Sequence, residues 1–490
     1  MSFQTPHRLL DLACQSLLRD RALSVGDLEC LPADIFPPLF MQAFLGRHRA
    51  SLKAMVCAWP FHYLPLGSLM RTPQGRILEA VFDGLDILLA QEVRPRRWRL
   101  RVLDLRDTGQ HFWSRWSAAR AEENLEDSED LEDSETGPGA EGGAEGSSEM
   151  QQPLAALEVF IDLRFSNRIQ DHFLTYVISW AKKRERSLHL CCKTLEILGV
   201  PVRNIKSLAL VQLSCIREVY VNCPWNLSSL GTFASYLGQM TNVESLCLSH
   251  IHLPASKEEK RVEEFHILRF TSQFLRLQHL RDLYLESPAF LTGHLDKLLS
   301  CLQTRLEALS ITDTLLTELD MVRLYQCPNL CQLINLDLNG VCLTELDPEL
   351  LSALLEKITA TLEDLDLVYC GIRDVYMEAI VPALSRCHQL RSLNLSGNLL
   401  SLAAMDKLLR HTTGLRSLSL EQYPAPLETY DAHGALDLER FDQICDELKG
   451  ILRDLGQSRT IQLSTNPCPH CGKPVSSELK PIVFSCENPA

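Results

Sequence analysis

The chain lacks the features that identify enzymes, membrane proteins and nucleic-acid-binding proteins. It contains no Gly-rich phosphate-binding motif, no nucleophile elbow and no HExxH metal helix. It has no run of 18 apolar residues, and its first residues show neither the basic nor the long apolar segment of a signal peptide. It also lacks the basic surplus that coating a nucleic acid requires. These absences predict an intracellular, non-catalytic protein with no membrane partner and no direct nucleic-acid partner.

The formal net charge of -15 comes almost entirely from one segment. Residues 121–150 hold 12 acidic residues and no Lys or Arg, so the rest of the chain has 51 acidic against 48 basic residues. The segment is also rich in Gly and Ser and poor in apolar residues, a composition that cannot support a packed core. We therefore predict a disordered acidic insert over 121–152.

The 18 cysteines are scattered through apolar stretches, where thiols behave as small hydrophobic groups. In an intracellular protein we expect them to be mainly reduced. Cys468 and Cys471 form a Cys-x-x-Cys element, and Cys486 follows. Such spacing can supply two or three ligands to zinc. We expect no cofactor otherwise, and the three residues remain either a structural zinc site or free, redox-sensitive thiols.

Eight segments repeat a Leu-x-x-Leu-x-Leu type of apolar pattern. The first residues of successive segments are separated by 25 to 29 residues, except for one interval of 37 that includes an insertion near 254–261. This length is typical of leucine-rich repeats with one strand and one helix per repeat. The segments are IREVYV from Ile216, VESLCL from Val243, LRDLYL from Leu280, LEALSI from Leu306, LINLDL from Leu333, LEDLDL from Leu362, LRSLNL from Leu390 and LRSLSL from Leu415.

The fold class that follows is an α/β leucine-rich repeat solenoid (horseshoe), with a parallel concave sheet, convex helices and an α-helical amino-terminal cap. Cys370 and Asn398 stand where the repeat favours Cys or Asn, which can bond backbone groups as the chain turns out of a strand. The predicted organisation is a helical cap over 1–95, the start of the repeat array over 96–120, the acidic insert over 121–152, the solenoid over 153–465 and a Cys-containing tail over 466–490.

Residues between the repeat leucines alternate onto the exposed face of the sheet. This face is either a solvated surface or a recognition surface for a protein segment, for which a basic segment is the candidate. The candidate target-binding residues on it are Asp282, Tyr284, Glu286, Asp337, Asp364, Asp366 and Asn394, with Asn335 and Ser392 beside them.

Two further patterns have a structural and a functional interpretation. RPRRWRLR, residues 94–101, predicts a basic edge strand, with nuclear import as the alternative. Leu-x-x-Leu-Leu, the form that docks on nuclear receptors, occurs at 85–89, 295–299 and 351–355. In a leucine-rich chain such matches arise easily, so we predict helix core for all three.

The first helix carries Leu10, Cys14 and Leu18 along one stripe. Thr5 and Pro6 are a favourable start for it. The stripe either shields the core of the first repeat as a cap, which a solenoid needs, or fills the groove of a partner protein.

Leu10-x-x-x-Cys14-x-x-x-Leu18 resembles the elongin C-binding box, and Leu31-Pro32-Ala33-Asp34-Ile35 resembles the cullin-2 box that follows it in substrate receptors. Longer segments along nearly the whole chain resemble the PRAME (preferentially expressed antigen in melanoma) family. They are SLLRDRALSVGDLECLPADIFPPLFMQAF, AWPFHYLPLGSLM, RPRRWRLRVLDLRD, LLRHTTGLRSLSLEQYPAP and NPCPHCG.

The resemblance implies a substrate receptor of a cullin-2 RING ubiquitin ligase, with elongin B–C and cullin-2 as partners and an unknown target protein. It assigns Leu10, Cys14 and Leu18 to the first contact, and Leu31, Pro32 and Ile35 to the second. It also implies expression in germ cells or tumours, effects on transcription, differentiation, proliferation and apoptosis, and residence in cytoplasm and nucleus. The alternative is a corepressor scaffold that binds a nuclear receptor or chromatin protein without ligase activity.

Overall fold

A computed structural model describes most of the chain outside the acidic insert. The described residues are 9–19, 23–70, 75–91, 98–106, 112–113, 157–166, 172–184, 187–252, 260–456, 460–465 and 482–485. They belong to two compact units. The amino-terminal unit takes its residues from 1–162, 171–193 and 210–212, and the carboxyl-terminal unit from 163–170, 194–209 and 213–490. No helix within the described ranges is both long and apolar enough to cross a membrane.

Helices form most of the amino-terminal unit, since its apolar residues recur at three- and four-residue spacing. They are α1 (Leu9–Arg19), α2 (Val25–Glu29), α3 (Phe36–Leu45), α4 (Arg49–Cys57), α5 (Gly67–Met70), α6 (Glu79–Leu89) and α7 (His172–Lys182). The predicted helix start at Thr5 and Pro6 lies outside the described residues.

Short parallel strands accompany these helices. β1 (Tyr63–Pro65) pairs with β2 (Val102–Asp104), and β2 also pairs with the first part of β3 (Leu157–Ser166). The prediction of a basic edge strand is therefore wrong, because β2 begins only after the arginine run and has a neighbour on each side. Arg99 and Arg101 are exposed, whereas the run's first three arginines lie outside the described residues.

The core of the amino-terminal unit contains a cluster of aromatic side chains. Trp59 is fully buried and meets Phe36 and Phe40 edge to face, with ring centroids 6.1 and 5.5 Å away. Trp113 stacks on Phe40 at 5.3 Å and donates its indole N–H to the Pro65 carbonyl at 2.7 Å. Each buried ring removes a large apolar area from water, and edge-to-face contacts add to that stabilisation.

A partly buried ion pair lies at the end of β2, and a hydrogen bond from Tyr63 joins it to β1. The Asp104 carboxylate accepts hydrogen bonds from Arg106 Nε at 2.9 Å, from Arg106 Nη2 at 2.7 Å and from the Tyr63 hydroxyl at 2.9 Å. Burial by itself would raise the pKa of Asp104, but the hydrogen bonds and charge of Arg106 and the bond from Tyr63 outweigh it and lower that pKa.

The carboxyl-terminal unit contains the repeated strands. They run parallel from β4 to β13, each pairing with the next, and β14 is antiparallel to β13. The strands are β4 (Leu188–Leu198), which enters this unit at Thr194, β5 (Glu218–Asn222), β6 (Ser245–Ser249), β7 (Asp282–Glu286), β8 (Ala308–Thr312), β9 (Asn335–Asp337), β10 (Asp364–Asp366), β11 (Ser392–Asn394), β12 (Leu420–Pro424), β13 (Thr460–Ser464) and β14 (Ile482–Ser485).

One helix follows most of these strands, and successive helices pack on one another. They are α8 (Leu227–Leu237), α9 (Lys260–Thr271), α10 (Leu295–Leu299), α11 (Glu318–Gln326), α12 (Pro348–Ile358), α13 (Asp374–Leu384), α14 (Leu402–His411) and α15 (Leu438–Asp454). Several begin at a side-chain cap, as at Asn226, Thr317 and Ser401, whose oxygens accept a backbone N–H of the first turn. Parallel strands alternating with such helices confirm the leucine-rich repeat solenoid.

Seven of the eight predicted repeat strands have the expected register, and the last does not. The pattern LRSLSL predicts a strand with Leu418 and Leu420 pointing inward. Instead β12 begins at Leu420, which is exposed, and Glu421 and Tyr423 point into the core. The Tyr423 hydroxyl donates to the Glu421 carboxylate at 2.6 Å, so the buried acid is hydrogen-bonded. Leu415 and Leu418 are buried in the turn before the strand, which moves the pairing three residues along the chain.

The residues at the strand-to-helix turn act as predicted. The Asn398 side chain is buried and bonds four backbone groups: it accepts from the N–H of Cys370 at 3.1 Å and of Ile372 at 3.0 Å, and donates to the carbonyls of Leu367 at 2.7 Å and Leu395 at 2.8 Å. The Cys370 thiol likewise donates to a carbonyl of the preceding repeat, at 3.1 Å. Neither sheet nor helix serves these groups, so the side chains replace both.

Candidate functional site

The candidate target-binding residues lie on strands of the carboxyl-terminal unit, on the side opposite the buried leucines. We call this side, from β4 to β12, the concave face. On β7, buried Leu283 and Leu285 alternate with outward-facing residues. The same alternation holds on β9, β10 and β11, where one buried leucine stands between two outward positions. The predicted residues thus brought onto one face are Asp282, Tyr284, Glu286, Asp337, Asp364, Asp366 and Asn394.

Two of these polar side chains also support the backbone. Asp337 accepts the Ser310 hydroxyl at 2.8 Å and the backbone N–H of Asn339 at 3.0 Å. Asn394 accepts the N–H of Ser396 at 3.2 Å. Both are half-buried, so part of their polarity serves the turns and the remainder faces solvent.

Negative charge is concentrated at two places on this face. Burial, followed by the charges of nearby glutamates, raises the pKa of Asp282. Burial also raises the pKa of Asp366, with the neighbouring Asp337 and Asp364 adding to the effect and a hydrogen bond from Asn394 opposing it. Closely spaced carboxylates that resist ionisation favour a cationic partner, which would relieve their repulsion.

The two strands that precede β7 were predicted from the sequence, but their outward-facing residues were not named as candidates. In IREVYV and VESLCL, the residues between the apolar positions are Glu218, Tyr220, Ser245 and Cys247, and the structure places all four on the concave face. Tyr220 and Tyr284 are 37% and 36% exposed, so both rings are available to a ligand. The signal was the same alternation that identified Asp282 and Tyr284.

The stripe on α1 is divided between core and surface. Cys14 is fully buried and Leu18 is only 6% exposed, because α1 packs on α3. Leu10 is 37% exposed, and Leu9, just before it, is 85% exposed. Burial, with the nearby Asp11 carboxylate, raises the pKa of the Cys14 thiol to about 11, which makes it a neutral packing group. In this arrangement a partner can reach Leu10 but not the other two residues.

The segment that resembles the cullin-2 box leads into α3. Pro32 is exposed, and Leu31 and Ile35 are half-buried. A short turn holds the segment, in which the Ile35 N–H donates to the Pro32 carbonyl at 3.2 Å. These three residues are accessible to a partner without any rearrangement.

The remaining sequence motifs give two outcomes. All three Leu-x-x-Leu-Leu segments lie in helices, and the first and fourth residues of each are buried, as predicted for helix core. A receptor groove therefore cannot take these leucines from the folded chain. Cys468, Cys471 and Cys486 lie outside the described residues, so the zinc site stays a prediction.

Comparison with known proteins identifies the family. The PRAME N-terminal domain matches residues 6–113, and the PRAME C-terminal domain matches residues 157–486. Human PRAME family member 12 is 51% identical over 482 residues, covering 98% of this chain and 97% of the relative. Human PRAME family member 8 is 48% identical over 490 residues, covering 99% of this chain and 100% of the relative.

One solved structure shows a more distant likeness. A crystal structure of an internalin from Listeria monocytogenes is 16% identical, with a TM-score of 0.31, and covers 55% of this chain and 81% of the internalin. This similarity is too weak to carry an argument about function. The two domain matches and the near-complete coverage by human relatives show that this chain belongs to the PRAME family.

Proposed function

We propose that the chain is a non-catalytic substrate receptor of a cullin-2 RING ubiquitin ligase, acting in cytoplasm and nucleus. The concave face would hold a target protein, and the amino-terminal unit would recruit elongin B–C and cullin-2. Ubiquitin transfer would be carried out by the partners. Through its targets the complex would affect transcription, differentiation, proliferation and apoptosis.

The observation that carries the target-binding half is the open concave face. It presents half-buried carboxylates and two exposed tyrosines on regularly spaced strands, and solenoids use such surfaces for protein recognition. The recruitment half rests on the resemblance of Leu10-x-x-x-Cys14-x-x-x-Leu18 and of Leu31-Pro32-Ala33-Asp34-Ile35 to the two boxes. Because Cys14 and Leu18 are buried, contact through the whole stripe requires α1 to separate from α3.

The burial of Cys14 and Leu18 favours a second candidate, a corepressor scaffold without ligase activity. In that case α1 is a permanent part of the core, and the concave face binds a transcription factor or chromatin protein directly. Binding through the Leu-x-x-Leu-Leu segments is not part of this candidate, since their leucines are buried.

Copurification of elongin B–C with the full-length protein distinguishes the substrate receptor from the corepressor scaffold. We expect the intact chain to retain elongin B–C, and Leu10→Ser and the Leu10→Ser/Cys14→Ser double variant to lose it. Leu12→Ser is the matched control, since Leu12 is exposed on the same helix but outside the stripe. Circular dichroism must show that the double variant is folded. Absence of elongin B–C from the intact chain would refute the ligase proposal and leave the scaffold.

A further inference from the structure

Two tyrosines of the concave face lie on either side of a strand whose outward residues are small. Tyr220 on β5 and Tyr284 on β7 are both in register with Cys247 on β6. The outward positions of β6 also include Ser245, so neither side chain there is large enough to fill the space between two phenol rings. We call the space above β6, between the positions of Tyr220 and Tyr284, the slot.

The width of this slot suits a planar group. Neighbouring strands lie about 4.8 Å apart, so β5 and β7 are separated by about 9.6 Å. A flat ligand in van der Waals contact with a ring on each side needs ring planes about 7 to 8 Å apart. Small side-chain rotations of Tyr220 and Tyr284 cover the difference, and both rings are accessible from solvent.

Carboxylates stand beside the slot. Glu218 and Asp282 flank Ser245 in the adjacent row of the sheet, on the same strands as the two tyrosines. Burial, and next the charge of Glu218, raises the pKa of Tyr220; burial, and next the charge of Asp282, raises the pKa of Tyr284. Both phenols therefore stay neutral in a negative field, which favours a cation between them.

Two arginines lie next to these strands in the chain. Arg217 and Arg281 precede β5 and β7, but each is paired with a glutamate at the edge of the sheet. Arg217 contacts Glu244, and Arg281 Nε lies 3.7 Å from the Glu307 carboxylate. The charge of Arg281 lowers the pKa of Asp282, but burial and the charge of Glu307 outweigh it, so that pKa stays raised.

We propose that this slot binds an arginine side chain of the target protein, with the guanidinium stacked between Tyr220 and Tyr284 and bonded to Asp282. The guanidinium is planar, weakly hydrated and rich in hydrogen-bond donors, so it can stack and pair at once. The stacking contributes a cation–π attraction and the carboxylate a charge-assisted hydrogen bond. Lysine shares the charge but has no plane to stack. The inference rests on the proposed role of the concave face in target binding.

The test uses the full-length protein and two fluorescein-labelled hexapeptides of equal charge, one of arginine and one of lysine. Fluorescence anisotropy at physiological salt measures both affinities. We expect the wild type to bind the arginine peptide about fivefold more tightly, the size of a cation–π contribution near a protein surface. Tyr220→Ala/Tyr284→Ala should abolish that preference, and Tyr220→Phe/Tyr284→Phe should keep it. Asp366→Asn, elsewhere on the concave face, should weaken the binding of both peptides equally.

Two results would overturn the proposal that the slot binds arginine. One is equal binding of both peptides by the wild type, which means a generally acidic surface. The other is an arginine preference that survives in the alanine variant, once circular dichroism shows that variant to be folded. Failure of this proposal is distinguishable from failure of the proposed function. A protein that does not retain elongin B–C, but whose preference for arginine depends on the two tyrosines, would refute the ligase proposal and support arginine binding in the slot.

Discussion

At the scale of single residues, side chains that bond the backbone determine how each repeat turns. Asn398 serves four backbone groups of two neighbouring repeats, whereas Asn394, four residues earlier, serves one and keeps part of its amide in solvent. Glycine matters at one such turn. Gly397 has φ of +72°, and a Cβ there would lie 2.3 Å from the Tyr369 ring, so the position accepts no other residue without strain.

Asn398→Ala tests the buried amide. Removing it leaves four buried backbone groups without their partners, so we expect a loss of about 3 kcal/mol in the free energy of unfolding. Asn394→Ala is the matched control and should cost about 1 kcal/mol, since a half-buried site admits water. Urea unfolding followed by circular dichroism measures both. Equal losses in the two variants would contradict this account of the turn.

Asp104 supplies a pH-dependent contribution to stability. Its pKa in the folded chain is lowered from the ordinary value of 3.8, so folding favours the ionised form. The contribution is complete above pH 3.8 and is lost as the pH falls through the lower folded-state pKa. We expect the urea midpoint of the wild type to exceed that of Asp104→Asn at pH 7, and the gap to narrow below pH 4. A gap that stays constant from pH 7 to 3 would show that the pair does not act through its charge.

At the scale of elements, α1 has one face in the core and another in solvent. Cys14 and Leu18 pack towards α3, while Leu9 and Leu12 remain exposed. The sequence identified the stripe, because residues four apart share a helix face. It did not show whether a partner or the chain's own α3 covers that stripe, since either satisfies the same pattern.

The two faces of α1 should respond differently to truncation. Leu18→Ala removes a buried side chain and leaves a cavity, so we expect a loss of about 3 kcal/mol in the free energy of unfolding. Leu12→Ala alters a side chain that is 48% exposed. This variant should change the free energy of unfolding by less than about 0.5 kcal/mol. Chemical denaturation of both variants is the measurement. A Leu18→Ala variant as stable as Leu12→Ala would mean that α1 leaves α3 readily, which would support recruitment through the whole stripe.

At the scale of the whole molecule, the segment that carries most of the net charge is not the segment that forms the concave face. Most of the net negative charge belongs to 121–150, outside the described residues, and the rest of the chain is nearly neutral. The negative character of the concave face therefore comes from where a few carboxylates lie, such as Glu218, Asp282 and Asp366, rather than from total composition. Local fields of this kind steer and select a cationic segment even when net charge is small.

The sequence by itself determined the repeat, its period and seven of the eight strand registers, because a two-residue alternation with buried leucines leaves one face inward. It also determined which residues lie on the concave face and that Asn398 and Cys370 bond the turn. Only the tertiary structure decided that Cys14 and Leu18 are core residues, that β2 is not an edge, and that Glu421 replaces a leucine position inside β12. These features depend on which elements pack together although they are far apart in the chain. A local sequence pattern carries no information about the element that a given segment packs against.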